Sequence, residues 1–226
     1  MAFKRIYLQL FTDCVGGYDS RLQDNVETLA NLVTIANSQQ LRYWIATPSH
    51  AASSELPSST ARETSTADVL FLLNFTTPQR SALLTSSSTL VLLYTPANEH
   101  FGIGPVEGMA CGLPVIACNS GGPTESIIAN PPDQRTGWLV QPDPDEWART
   151  LETVVDLSDS ERHKVADRAR LRARQFFGMD AMAEGLQQAL QDAVKLGPVK
   201  SFTLVTDLVL VTFIVLLAYL TFILIS

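Results

Sequence analysis

The chain has 226 residues, 46% hydrophobic and 17% charged, which is enough apolar mass for one real core and too little length for two complete nucleotide-binding domains. Its formal net charge of −7, with no clustered Lys and Arg, argues against nucleic acid as a partner, because binding a phosphate backbone needs concentrated cations. Cys14, Cys111 and Cys118 are odd in number and suit reduced thiols, two of them in apolar or small-residue surroundings. A structural zinc site wants four soft ligands at tight spacing, so no metal is expected.

In chain order, Ile6–Phe11 reads as a buried strand, and Gly16-Gly17 then turns the chain into a helix from Ser20 to about Asn37. Leu22, Val26, Leu29, Leu32, Val33 and Ala36 form the apolar stripe of that helix. A second strand is expected over Leu41–Ala46. His50–Asp68, rich in Ser, Thr and Ala, reads as a flexible insertion without a core of its own. Val69–Phe75 follows as a strand, Pro78–Ser86 as a short helix with Pro near its start, and Thr89–Tyr94 as a strand. A helix opens at Pro105–Cys111, Val115–Cys118 is a strand, and Pro123–Ala129 is a short helix. Trp138–Val140 is an edge or terminal strand, and Asp143 to about Leu157 is a helix with acids in its first turn. Two further helices, Asp159–Phe177 and Asp180–Lys195, complete a globular region over 1–197. Strands alternating with helices predict an α/β fold, a single Rossmann-like domain with a parallel sheet between helical layers.

Leu208–Ile225 contains no charged residue. As a helix it covers about 27 Å against a hydrocarbon core of about 30 Å, so 203–226 is expected to be one transmembrane helix. Lys195 and Lys200 precede this stretch and no charge follows it, which predicts a cytosolic globular part. Met1–Leu10 lacks the long apolar run of a signal peptide.

The richest stretch lies between the strands at Thr89–Tyr94 and Val115–Cys118. Glu99-His100-Phe101-Gly102-Ile103-Gly104-Pro105-Val106-Glu107 puts one carboxylate in a loop and a second inside the following helix. Taken alone, such a pair reads as a solvated loop acid and a helix-surface acid near a favourable dipole. Its surroundings sharpen it, with Tyr94-Thr95-Pro96 before the pair and Gly121-Gly122-Pro123-Thr124-Glu125 after it. A carboxylate on a helix at the carboxyl end of a parallel strand can accept both ribose hydroxyls of a nucleotide, a role that Glu107 fits. Gly121-Gly122 can aim amides at a phosphate, or can equally be a tight turn without a ligand.

These residues resemble the Glu-x7-Glu signature of retaining glycosyltransferase family 4, and in particular of its GDP-mannose-dependent α-1,3/1,6-mannosyltransferases of asparagine-linked glycosylation. The likeness runs from Gly16-Gly17-Tyr18-Asp19-Ser20-Arg21 to about Leu190. It implies the donor-binding, C-terminal half of a GT-B fold. It also implies transfer of mannose from GDP-mannose to a dolichol-linked oligosaccharide, with retention and without a metal, on the cytosolic face of the endoplasmic reticulum membrane. Glu99 would hold the mannose as the catalytic-site acid, the Phe101-Gly102-Ile103 backbone would wrap the hexose, and Glu107 would take the ribose. The Arg and Lys that neutralise the donor diphosphate in that family are expected upstream of Met1, and Lys4 and Arg5 are not assigned that role. Gly108 stands where the family commonly has Ala, a change expected to alter little beyond helix propensity. Besides an enzyme, the chain reads as a donor-binding subunit that needs a separate acceptor-domain partner, or as an inactive truncated fragment.

Overall fold

The computed structural model describes residues 18–46, 56–197 and 204–225, with side chains in the last stretch only over 208–217 and 220–223. The strand expected at Ile6–Phe11, Cys14 and the Gly16-Gly17 turn lie outside the described residues. Eight α-helices and five strands are described: α1 Gln23–Ser38, β1 Tyr43–Ala46, β2 Val69–Leu72, α2 Thr77–Thr85, β3 Leu92–Tyr94, α3 Ile103–Cys111, β4 Val115–Cys118, α4 Pro123–Ser126, β5 Trp138–Val140, α5 Pro144–Val155, α6 Asp159–Phe177, α7 Met179–Leu196 and α8 Leu204–Ile225. Among the described residues all strand pairing is parallel, in the order β1-β2 and β3-β4-β5.

The chain divides into two units, 1–177 and 178–226. In the first unit, β4 is buried along its whole length, as a central parallel strand covered on both faces must be. Val115 and Ala117 pack with Met109 of α3 and with Ala169 and Ala173 of α6, whereas Ile116 faces Val154 of α5 and Val165 of α6. Small residues on α6 let α3 lie close against it. A separate core joins Leu29, Val33 and Ala36 of α1 to Tyr43, Val69 and Phe71 of the β1-β2 pair.

The stretch expected to be flexible differs in the part that is described. Tyr43 and Ile45 donate their amides to Thr60 Oγ1 and Ser59 Oγ, both at 3.0 Å, and the Tyr43 hydroxyl donates to Ser58 O. Ala61 and Ala67 are buried. Hydroxyl side chains thus occupy an edge of β1, so residues 56–68 are held by polar contacts although the segment is poor in apolar residues.

α6 carries a series of arginines that finish neighbouring elements. Arg162 donates to Leu90 O before β3 and to Val154 O near the end of α5, and Arg168 donates to Arg135 O. Arg170 reaches Cys111 O, the end of α3, and Arg172 takes Glu125 O and Ser126 O, the end of α4. The last carbonyls of a helix have no intrahelical partner, and these guanidiniums supply one.

In the second unit, α7 exposes Met182, Leu186, Leu190 and Val194. α8 is a continuous helix of 22 residues whose described side chains are exposed. Among the described residues no helix is long and apolar enough to cross a membrane. In α8 the described side chains run only over 208–217 and 220–223.

Replacing Arg172 by Ala leaves two carbonyls at the end of α4 without their charged donor, and is expected to cost about 1–3 kcal/mol of stability. Arg172→Lys, which lacks the planar fork, should recover only part of that. Urea unfolding followed by tryptophan fluorescence measures both as a lowered midpoint at unchanged slope.

Candidate functional site

The carboxyl ends of β3 and β4 set two loops against each other. The first runs from Tyr94 to Gly102 and carries Glu99. The second, Asn119–Gly122, carries the glycine pair. Asn98 N donates to Ser120 Oγ at 2.9 Å, and Gly122 N donates to Glu99 O at 2.8 Å. The loops approach so closely that a Cβ on Gly121 would collide with the Glu99 carbonyl and one on Gly122 with the Phe101 backbone. Gly121 also adopts φ 60°, the left-handed region that disfavours a side chain. The visible role of this pair is therefore close approach of two backbones, and the Gly122 amide is taken by Glu99 O.

Gly102 enters α3 with φ 76°, and the helix begins at Ile103, two residues before the expected Pro105. A Cβ on Gly102 or Gly104 would lie 3.0 Å from the buried Tyr94 ring, so that ring is the floor on which the entry to α3 rests. Gly108 is more constrained than propensity implies. A Cβ there would lie 2.6 Å from Leu92 Cδ2 and 3.0 Å from Val115 Cγ2, and these side chains would have to move for Ala to fit.

The two carboxylates are held differently. Glu99 is half-buried, and its Oε1 accepts from the His100 amide at 2.9 Å, while His100 itself is exposed. Glu107, also half-buried, forms an ion pair through Oε1 with Arg80 Nη2 on α2, at 3.0 Å. Phe101 and Ile103 are exposed at the loop, with the Phe101 ring 5.7 Å from that of Phe177. The structure thus brings Glu99, Phe101, Gly121 and Gly122 together and turns Glu107 toward α2. No local pattern in the sequence marks Arg80, a lone cation in the first turns of a Pro-started helix whose partner lies far away in sequence.

Beside this helix, Cys111 has its thiol pushed up by burial first, then by the Glu107 carboxylate, with Arg170 pulling it down. Cys111 and Cys118 are both unbridged. Among the described residues no group of three or more His, Cys, Asp or Glu could hold a metal ion.

The profile of the glycosyl transferases group 1 family matches residues 53–172, more than half of the chain. The chain belongs to that family. Its match begins inside the segment read as an insertion, at residue 53. Similar curated proteins of the group are the α-1,3/1,6-mannosyltransferase ALG2 of Kluyveromyces lactis, 33% identical over 79% of this chain, and that of Rhizomucor pusillus, 37% identical over 76%. The chain spans just over a third of their length, 36% and 35% respectively. Among solved structures, sucrose-phosphate synthase of Thermosynechococcus elongatus superposes with a TM-score of 0.56 at 20% identity, covering 80% of this chain and 38% of that one. The Anabaena protein HepE in complex with UDP gives 0.52 at 22% identity, over 75% of this chain and 37% of its own. These likenesses establish the Rossmann-like glycosyltransferase fold of the GT-B type, with parallel sheets.

Three outcomes test the geometry of this site. Gly122→Ala forces apart two backbones that cannot relax by a rotamer change, and is expected to cost roughly 2–4 kcal/mol or to abolish folding, read by urea unfolding. At pH 8 the Cys111 thiol should alkylate more slowly than an unfolded cysteine, because its raised pKa leaves less thiolate. Glu107→Gln removes one raising influence and should speed that alkylation, mapped to Cys111 by mass spectrometry.

Proposed function

We propose that the chain is the donor-binding part of a retaining mannosyltransferase that moves mannose from GDP-mannose to a lipid-linked oligosaccharide in N-glycan precursor synthesis. The observation that carries this reading is the placement of Glu99 and Glu107 after β3, on the loop and the helix that follow it. They sit so in a chain about a third identical to α-1,3/1,6-mannosyltransferases over most of its length.

In this reading Glu99, anchored through its own backbone to Gly122, presents its carboxylate to mannose hydroxyls. The tight Phe101-Gly102-Ile103 backbone bounds the hexose. Glu107 accepts from the ribose hydroxyls, each charge-assisted bond contributing about 1.5–3 kcal/mol. Retention follows from attack on the face the leaving diphosphate departs from, with the protein supplying orientation and fixed dipoles and no covalent nucleophile. No metal is assigned a role.

Glu107→Ala is expected to raise the GDP dissociation constant about tenfold or more in calorimetric titration. An unchanged constant removes the ribose role.

α8 belongs to the same proposal. Leu204–Ile225 carries one acid, Asp207, at its amino-terminal edge and an uncharged sequence thereafter. Among the described residues no helix reaches the length and apolarity of a span, but the full sequence of this stretch, as a helix, would cover about 33 Å against a hydrocarbon core of about 30 Å. We place it across the endoplasmic reticulum membrane, with Lys195 on the cytosolic side in keeping with the positive-inside rule. Removing residues 204–226 should move the protein from the carbonate-resistant membrane pellet to the supernatant.

A second reading, donor binding by this chain and acceptor binding by a separate protein, rests on the apolar face that α7 exposes through Met182, Leu186, Leu190 and Val194. Co-purification of a second nucleotide-sugar-type domain from membranes would favour it over a self-sufficient enzyme.

A further inference from the structure

The ion pair between α2 and α3 brings Arg80, a cation from outside the Glu99–Glu107 segment, against one of the two motif carboxylates. Arg80 stands in the second turn of α2, a helix whose start is fixed by a reciprocal cap: Gln79 N donates to Thr76 Oγ1, and Thr76 N donates to Gln79 Oε1. The cation therefore projects from an anchored turn and not from a loop. Its Nη2 lies 3.0 Å from Glu107 Oε1. A glutamate has three side-chain torsions to lose on binding, which costs up to about 2 kcal/mol when they start free. A cation that already pairs with the carboxylate restricts those torsions and removes part of that cost before the ligand arrives.

We propose that Arg80 is a positioning residue for nucleotide recognition: by pairing with the Glu107 carboxylate it holds that side chain in place to meet a vicinal diol, the ribose of a nucleoside diphosphate. This rests on the donor-site reading given above and extends it to a residue outside the Glu99–Glu107 segment. The side chains of the pair are 37% and 27% exposed, so the effect is that of a part-solvated ion pair and not of a buried one. Lysine at position 80 retains the charge but loses the planar fork that fixes direction.

The test is calorimetric titration of GDP and of 2′,3′-dideoxy-GDP into the full chain in detergent micelles, for the wild type, Arg80→Gln, Arg80→Lys, Glu107→Gln and the Arg80→Gln/Glu107→Gln double variant. Arg80→Gln is expected to weaken GDP binding roughly twofold to fivefold, as suits a pair of this exposure. It should leave the dideoxy nucleotide unaffected, because the diol that Glu107 would read is absent. In the Glu107→Gln background, Arg80→Gln should add nothing, and Arg80→Lys should fall between wild type and Arg80→Gln. Equal weakening for both nucleotides would overturn the proposal, since Arg80 would then act on the phosphates or on the fold at large. Unchanged GDP affinity in Arg80→Gln would overturn it as well. A wild type that does not bind GDP would overturn the donor-site reading itself. That outcome is separate from a failure of Arg80 alone, in which wild-type binding stays intact.

Discussion

The backbone carbonyls at the ends of α3, α4 and α5 need donors, and one helix provides them. From α6, Arg162, Arg170 and Arg172 reach Val154, Cys111 and the Glu125–Ser126 pair, while Arg162 also ties down Leu90 just before β3. A guanidinium suits this work because its forked donors can serve two carbonyls at once, as Arg162 and Arg172 do. Such bonds contribute about 1.5–3 kcal/mol when the donor is charged. The same helix buries Ala169 and Ala173 against the sheet side of α3. One face of α6 is thus small and apolar for packing, while its flanks are long and cationic for termination.

That arrangement sets the site at one remove. Arg172 fixes the carboxyl end of α4, the Gly121-Gly122 turn leads into its amino end, and the Gly122 amide holds the Glu99 carbonyl. The Glu99 loop is therefore placed by backbone contacts, leaving the carboxylate to choose its own partner. Glu107 is placed by the packing of α3 on α6 and is paired with Arg80 from α2. The two acids reach the same end of the sheet through different supports. A disturbance of α4 would displace Glu99 while leaving Glu107 in register with Arg80.

How much of this was legible depends on the range of the interactions. The run Val115–Cys118 and the helix Asp159–Phe177 matched the expected boundaries, because an all-buried parallel strand is a continuous apolar run, and Ser158-x-x-Glu161 is a local capping signal, formed here between Ser158 Oγ and Glu161. The start of α3 was placed late, since Gly102-Ile103-Gly104 is a poor helix opening by propensity and is stabilised instead by the Tyr94 ring beneath it. Residues 56–68 were read from their lack of apolar side chains, but Ser59 and Thr60 order them by bonding to β1, a contribution that hydrophobic patterning does not register. Arg80 with Glu107, and Arg172 with Ser126, join positions far apart in the chain, and a single sequence has no signal for such pairs. The carboxylates themselves were visible because the loop, the glycines and the flanking strands recur together over a short stretch.

The contrast between the two acids also bears on what binding would cost. Glu99 gives one oxygen to the neighbouring His100 amide in a part-exposed loop. Exchanging that bond for a sugar hydroxyl loses only about 0.5–1.5 kcal/mol, because water can satisfy the released amide. Glu107 would keep its cation while gaining a diol, so its charge stays compensated throughout. A carboxylate that exchanges partners tolerates variation in the group it reads, and one held by a fixed cation does not. In the proposed donor site, Glu107 would on that basis set the more stringent geometric demand on a ligand, and Glu99 the more adaptable one.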